Sequence, residues 1–223
     1  TCDVAVVNLD DAEAAAILPV YTPSVTYAIG NPAAQIGVVE GSIQEEPFAI
    51  AASVIDRRDA STHQLRLGVP GRHNLSNALA AIAAASAAGV QTGNAVAALG
   101  SYAGLARRFD VIGTSGCGIT VIDDFGLNPE KRAATLATLK AQPGRVIAFF
   151  QPHGYGPLRQ MGHELAQTFA RELGPDDVTL LCDPVYFGGT VDRSVGSERI
   201  VSLIEAAGGK AEYVPSREDC GAR

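Results

Sequence analysis

From Phe109 to Val214, short apolar runs alternate with helix-forming segments, and this rhythm restricts the possible folds more than any other feature of the chain. Ile119–Ile122 reads as a strand and Pro129–Ala141 as a helix, followed by a strand over Arg145–Phe150 and a helix over Gly162–Leu173. A strand over Val178–Cys182, a helix over Ser197–Ala207 and a strand over Ala211–Val214 complete the series. Parallel neighbours need a crossover, usually a helix, so this alternation predicts an α/β fold with a parallel, doubly wound sheet.

The texture upstream is different. Val4–Asn8 reads as a buried strand, and Asp10 or Asp11 can cap a short helix through Ala16. Between Ser24 and Leu67, short alternating runs are separated by Gly30-Asn-Pro, Gly41-Ser and Arg57-Arg-Asp. That spacing predicts a small, largely antiparallel sheet. Asn74–Gly89 is Ala-rich with a closing glycine, and a second helix is expected over Thr92–Leu99. Gly100–Gly104 reads as a loop, which places a domain boundary near Gly104 and divides the chain into residues 1–104 and 105–223.

At 223 residues, with 47% hydrophobic and 18% charged residues, the chain can bury a core without a disulfide or metal staple. Its formal charge of −7 disfavours broad nucleic-acid binding, which rests on Lys and Arg neutralising phosphates. Cys2, Cys117, Cys182 and Cys220 form no C-x-x-C pair, so they read as free thiols in a reducing compartment, and no metal site is expected. No basic-then-apolar leader opens the chain and no run of about 18 apolar residues occurs, so a cytoplasmic protein is expected, without membrane or nucleic-acid partners.

Several side chains stand where chemistry is expected. Asp123-Asp124 follows an apolar strand, and ligands of open α/β sheets gather at the carboxyl ends of strands. A carboxylate there can accept hydrogen bonds from a ribose diol; the plainer alternative is a cap for the helix beginning at Pro129. Gln151-Pro152-His153 repeats the placement after the next strand, with Tyr155 in the same Gly/Pro loop and Arg159 able to clamp an anion. Of the adjacent Arg107 and Arg108, one is expected to reach a ligand as a charge stabiliser, because neighbouring side chains diverge. Asn74 and Asn77, three apart, share one face of a starting helix. No G-x-x-x-x-G-K-[ST] loop occurs, and none of the three lysines, Lys131, Lys140 and Lys210, follows a Gly-rich turn after a strand.

In combination and order, four stretches resemble the Mur ligase family of ATP-dependent cell-wall ligases. They are Pro70-Gly-Arg-His-Asn-Leu-Ser-Asn, Leu105-Ala-Arg-Arg-Phe, Val121-Ile-Asp-Asp-Phe-Gly-Leu-Asn-Pro and Phe150-Gln-Pro-His-Gly-Tyr. The resemblance is closest to the branch joining L-alanine to UDP-N-acetylmuramate and to the muropeptide-recycling branch. It implies the latter part of a central ATPase domain over residues 1–104 and a Rossmann-like C-terminal domain over residues 105–223, with the phosphate loop in a part not spanned.

The resemblance further implies that His73, Asn74 and Asn77 lie by an adenine, Arg108 by the ATP phosphates, and Asp124 with Asp123 by the ribose. His153 and Tyr155 would line the acceptor site, together with Phe125, Asn128 and Arg159, and Arg108 and His153 would be catalytic. ATP and Mg2+ would serve the reaction, the metal's ligands lying mainly outside this segment. The partners would be a UDP-sugar carboxylate and an amino acid or peptide. Phe125, Leu127 and Asn128 depart from the Asp-Asp-Tyr-Gly-His-His-Pro pattern of the alanine-adding branch, and Gly154 and Pro157 replace arginines that usually follow Gln-Pro-His. A non-catalytic nucleotide- or peptide-binding module, and a ligase with another acceptor, are the rival readings.

Overall fold

In the computed structural model, which describes residues 3–18, 23–186, 188 and 190–221, the first apolar run forms β1 (Ala5–Asn8). It leads into α1 (Ala12–Ala16), where Asp11 is the cap, its carboxylate accepting from the Ala14 amide at 2.8 Å. β2 (Ser24–Tyr27), β3 (Ile36–Val38), β4 (Gln44–Glu46), β5 (Ala49–Asp56) and β6 (Ser61–Leu67) follow. They form one six-stranded sheet in the order β1-β2-β3-β5-β4, with β6 on the other edge of β5. The pairings of β5 with β3, β4 and β6 are antiparallel, as the short alternating runs predict.

The sheet is nevertheless mixed, because β1, β2 and β3 run parallel. A parallel neighbour cannot be reached through a tight turn. Here the connection from β2 to β3 is tied down by Asp10, whose carboxylate accepts from the amides of Ile29, Gly30 and Asn31 at 2.6, 3.1 and 3.1 Å.

α2 (Arg72–Ala87) buries Leu75, Ala78, Leu79, Ile82 and Ala83, the spacing of one helix face, against Ile36, Ile50, Val54, Leu65 and Leu67 of the sheet. Each fully buried Leu or Ile contributes roughly 2 kcal/mol by removal from water. The helix ends where Gly89 takes φ +89°, with the Val90 amide donating to Ala85 O and the Gly89 amide to Ser86 O. That left-handed close is open to glycine without penalty. α3 (Thr92–Leu99) has the predicted bounds.

β7 (Asp110–Thr114) was not expected, and it changes the role of the next strand. β8 (Thr120–Asp123) pairs with it antiparallel in a two-stranded sheet bulged between Val111 and Gly113. The run read as the first parallel strand is therefore one arm of a hairpin. By compactness the chain divides into units at Thr1–Asp123 and Asp124–Arg223. Gly104 lies against Val69, where an added Cβ would stand 2.9 Å from Val69 Cγ1, so the Gly100–Gly104 loop packs onto the exit of β6.

The second unit runs α4 (Pro129–Lys140), β9 (Ile147–Phe150), α5 (Tyr155–Glu172), β10 (Val178–Leu181), α6 (Ser197–Ala206), β11 (Ala211–Tyr213) and α7 (Arg217–Cys220). Its three strands are parallel in the order β11-β10-β9. Because order follows sequence, this sheet is wound in one direction among the described residues, not doubly wound. α5 packs against both α4 and α6, closely enough that a Cβ on Gly162 would meet Ile200 Cδ1 at 2.5 Å. The core gathers Leu136, Phe150, Leu165, Phe169, Leu181 and Ile204.

Candidate functional site

Of the side chains singled out from the sequence, Arg108 and His153 each line a cavity. The first, about 330 Å3, lies in the first unit between the exit of β6 (Gly68, Val69, Pro70) and the segment carrying Gly104, Arg108 and Phe109. Gly71 adopts φ +93° and its carbonyl accepts from the Asn74 and Leu75 amides, opening α2 beside this wall. Asn74 Nδ2 donates to Pro70 O at 2.7 Å, so its side chain braces the cavity's edge. His73 and Asn77 are exposed on the first turns of α2.

The two arginines diverge as their adjacency requires. Arg107 donates through Nε to Asp123 at 3.3 Å, whereas Arg108 is exposed on the cavity wall. Arg107 and Phe109 take φ of +62° and +50°, uncommon for residues with a Cβ. Asp123 therefore serves first as an ion-pair partner at the end of β8.

In the second unit, Asp124 accepts from Thr135 Oγ1 at 2.9 Å. The cap of α4 is instead Asn128, which accepts from the Lys131 amide at 2.9 Å, with Pro129 in the first turn. Asn128, expected at the substrate, thus spends its carboxamide oxygen on the helix. Phe125 is half-buried in the loop between them.

His153 is exposed at the rim of the second cavity, about 150 Å3, which is walled by Leu127, Phe150, Leu158, Met161 and Leu165. Tyr155 is the first residue of α5 rather than part of a loop. Gly154 turns the chain at φ +108°, and Pro157 is tolerated because amides of a first helical turn need no intrahelical acceptor. Arg159 Nη1 is paired with Asp192 at 2.9 Å, and Arg193 lies 5.8 Å from the Tyr155 ring and 3.9 Å from that of Tyr186. Arg159 is thus already held by a carboxylate rather than aimed at the cavity.

The carboxyl ends of β9, β10 and β11 share one edge and are hydrogen-bonded there. Gln151 Nε2 donates to Asp183 O at 3.2 Å, and Tyr213 Oη donates to Asp183 Oδ1 at 2.6 Å. The Asp183 carboxylate raises the Tyr213 phenol to about 12, with burial acting in the same direction.

Arg132 escaped the sequence reading. Its guanidinium sits 3.8 Å from the Phe150 ring centroid and 5.2 Å from that of Phe169. One Nη donates to Gly126 O, and the buried Nε has no hydrogen-bond partner among the described residues. Burial brings Arg132 down to about 10, opposed by the charge of Asp124. Its sequence signal was position alone, one helical turn before the buried Leu136.

Among the described residues no group of three His, Cys, Asp or Glu side chains is placed to hold a metal ion, and no helix is long and apolar enough to cross a membrane. Cys117, Cys182 and Cys220 are free thiols, and Cys2 lies outside the described residues.

Comparison with known proteins matches residues 1–85 to the Mur ligase middle domain and residues 107–223 to the Mur ligase, glutamate ligase domain. The UDP-N-acetylmuramate–L-alanine ligase of Pelotomaculum thermopropionicum is 35% identical over 218 residues, covering 96% of this chain and 46% of that protein. The protein of the same name from Agrobacterium fabrum is 40% identical over 162 residues, covering 71% of this chain and 33% of its own length. The chain therefore spans less than half the length of either relative. Its fold is similar to that of MurF from Acinetobacter baumannii (TM-score 0.72, 22% identity, 97% of this chain and 43% of that one). It is also similar to the UDP-N-acetylmuramate–alanine ligase of Thermotoga maritima (TM-score 0.63, 23% identity, 86% and 39%). With both domain models matched in succession, the chain belongs to the Mur ligase family.

Proposed function

We propose that the chain forms the latter part of the central domain, to about Gly104, and the C-terminal domain of an ATP-dependent ligase. The ligase would join an amino acid or peptide to a UDP-sugar carboxylate in the manner of the UDP-N-acetylmuramate–L-alanine ligases it resembles. The observation that carries this reading is that each compact unit presents a cavity walled by a residue that the resemblance assigns to ligand: Arg108 in the first and His153 in the second. A cavity of about 330 Å3 falls within the range of small-ligand sites, and its Gly and Pro walls let backbone approach a planar base closely.

In this reading His73, Asn74 and Asn77 flank the adenine, Asp124 with Asp123 receives the ribose, and Arg108 balances charge on the transferring phosphoryl group. A carboxylate oxygen of the substrate attacks the terminal phosphorus of ATP, ADP leaves, and an acyl phosphate results. The amine nitrogen attacks the acyl carbon, phosphate leaves, and His153 accepts the proton the nitrogen sheds. Tyr155 and Phe125 border the acceptor, while Asn128 and Arg159 act through the cap of α4 and the Asp192 loop. Magnesium, when bound, neutralises phosphate charge, and its ligands and the phosphate loop come from the part of the ligase not spanned here.

The test is amine-dependent phosphate release from ATP by the complete ligase. Release that requires both a UDP-sugar carboxylate and an amine is expected; binding of nucleotide without release would leave a binding module. The 223-residue chain alone is expected to show no sustained ATP turnover. Asp124→Ala in the complete ligase should weaken nucleotide binding without unfolding the protein; unchanged affinity would reduce Asp124 to its bond with Thr135.

A further inference from the structure

We infer that the cavity beside His153 selects the acceptor by receiving an uncharged apolar side chain larger than a methyl group. The inference rests on the proposed ligase reading, whose acceptor site it refines. Leu127, Phe150, Leu158, Met161 and Leu165 supply apolar carbon around about 150 Å3. An apolar cavity of about 150 Å3 admits a benzene-sized group, several times the bulk of a methyl. An alanine side chain would leave most of that space unfilled and lose the contacts that packing provides.

Charge points the same way. The arginine nearest the rim in sequence, Arg159, is neutralised by Asp192, and Arg132, stacked on the Phe150 ring, is not among the residues that line the cavity. An acidic side chain entering here would lose hydration without gaining a cation. Leu127 stands at a departure from the alanine-adding pattern, and it contributes to the apolar wall. Arg132 stacks on Phe150, one of the residues that line the cavity.

Met161 is the single methionine of the chain, so its labelled ε-methyl group gives one unambiguous NMR signal from inside the cavity wall. The chain, labelled at that methyl, would be titrated with L-leucinamide, L-phenylalaninamide, L-alaninamide and L-glutamate. Saturable shifts with the leucine and phenylalanine amides are expected, at half-saturation concentrations about tenfold or more below that of alaninamide, from the extra carbon buried. Glutamate should leave the signal unmoved. Leu127→Asn, at a 41% exposed position that folding tolerates, should weaken the apolar amides while sparing the fold.

Alaninamide binding as tightly as leucinamide, a shift with glutamate, or no shift with any apolar amide would overturn the inference. Phosphate release by the complete ligase, assayed with the same side chains as free amino acids, separates the two levels. Release with L-alanine and no gain with L-leucine refutes the cavity's role and leaves the ligase reading standing. Absence of release with every amine refutes the ligase reading itself.

Discussion

Each unit buries one carboxylate next to an exposed turn, and the two are satisfied in different ways. In the first unit Asp56, at the end of β5, is gripped by Arg58 through Nε at 2.9 Å and Nη2 at 2.5 Å, and by Thr92 Oγ1 at 2.6 Å. Its partners are mainly side chains, and they pin the β5–β6 turn to the start of α3. In the second unit Asp177 accepts from the Val146 and Gly174 amides at 2.7 and 2.6 Å and from Lys140 Nζ at 2.7 Å. Two of its three partners are backbone, so the carboxylate organises the chain itself before β9 and β10. Side-chain partners can rotate when a carboxylate is lost, whereas fixed amides are left facing nothing. The two cavities differ in the same sense: Gly, Pro and Arg108 wall the first, while Phe150, Met161 and three leucines wall the second.

The largest effect that would break the comparison is loss of packing in the second unit. Phe169, 1% exposed and in contact with Phe150, should cost about 3–5 kcal/mol as Phe169→Ala, read from denaturant unfolding. A loss under about 1 kcal/mol would mean that the apolar wall beside His153 is not braced from behind. Next, Asp177→Asn puts an amide donor against donors and should cost about 3 kcal/mol, more than Asp56→Asn, whose Thr92 hydroxyl can turn to accept. Equal costs would erase the distinction between backbone and side-chain clasps.

The Arg58 hydrogen bonds hold Asp56 down at about 2, against burial, with Thr92 assisting. A depressed carboxylate stabilises the fold above its unfolded value of about 3.9 and loses that contribution as pH falls through the folded value. Acid unfolding should therefore show roughly 2 kcal/mol lost between about pH 4 and 2, absent in Asp56→Asn. For Asp177, burial alone would raise the carboxyl, but Lys140 and the two amides outweigh it and leave it below the ordinary range. Its contribution has the same sign. The smallest effect belongs to the exposed Arg159–Asp192 pair: Arg159→Ala should leave the unfolding midpoint unchanged, since solvent screens such pairs. A shift in acceptor affinity in the same variant would instead return Arg159 to the substrate.

Local chemistry alone was enough for much of the fold. α3 has the expected bounds, the closing Gly89 of α2 was legible, and Pro129 marked the start of α4, although its cap is Asn128, expected at the substrate, and not Asp123-Asp124. β7 was not legible, because Asp110–Thr114 carries Gly113 at its bulge and becomes a strand by pairing with β8. The first turns of α5 were read as loop because Gly154, Gly156 and Pro157 are turn formers elsewhere, yet Gly154 serves as the cap and a first helical turn admits the other two. At the candidate site, His153 and Arg108 could be picked out by their place after a strand and at a hinge-like loop. Nothing near Arg159 announced Asp192, and nothing near Phe150 announced Arg132.

Periodicity, capping residues and motif spacing are properties of neighbours along the chain, so the sequence by itself determined most of the order of elements and the family, but not β7 or the first turns of α5. Tertiary structure alone decided the parallel pairing of β1, β2 and β3, the one-way order of the second sheet and the hairpin that claimed β8. It also decided that Arg107 would meet Asp123, that Arg159 would be neutralised and that Leu127 and Met161 would share a wall. Those outcomes depend on groups far apart in sequence competing for the same partners, and only the folded chain brings the competitors together.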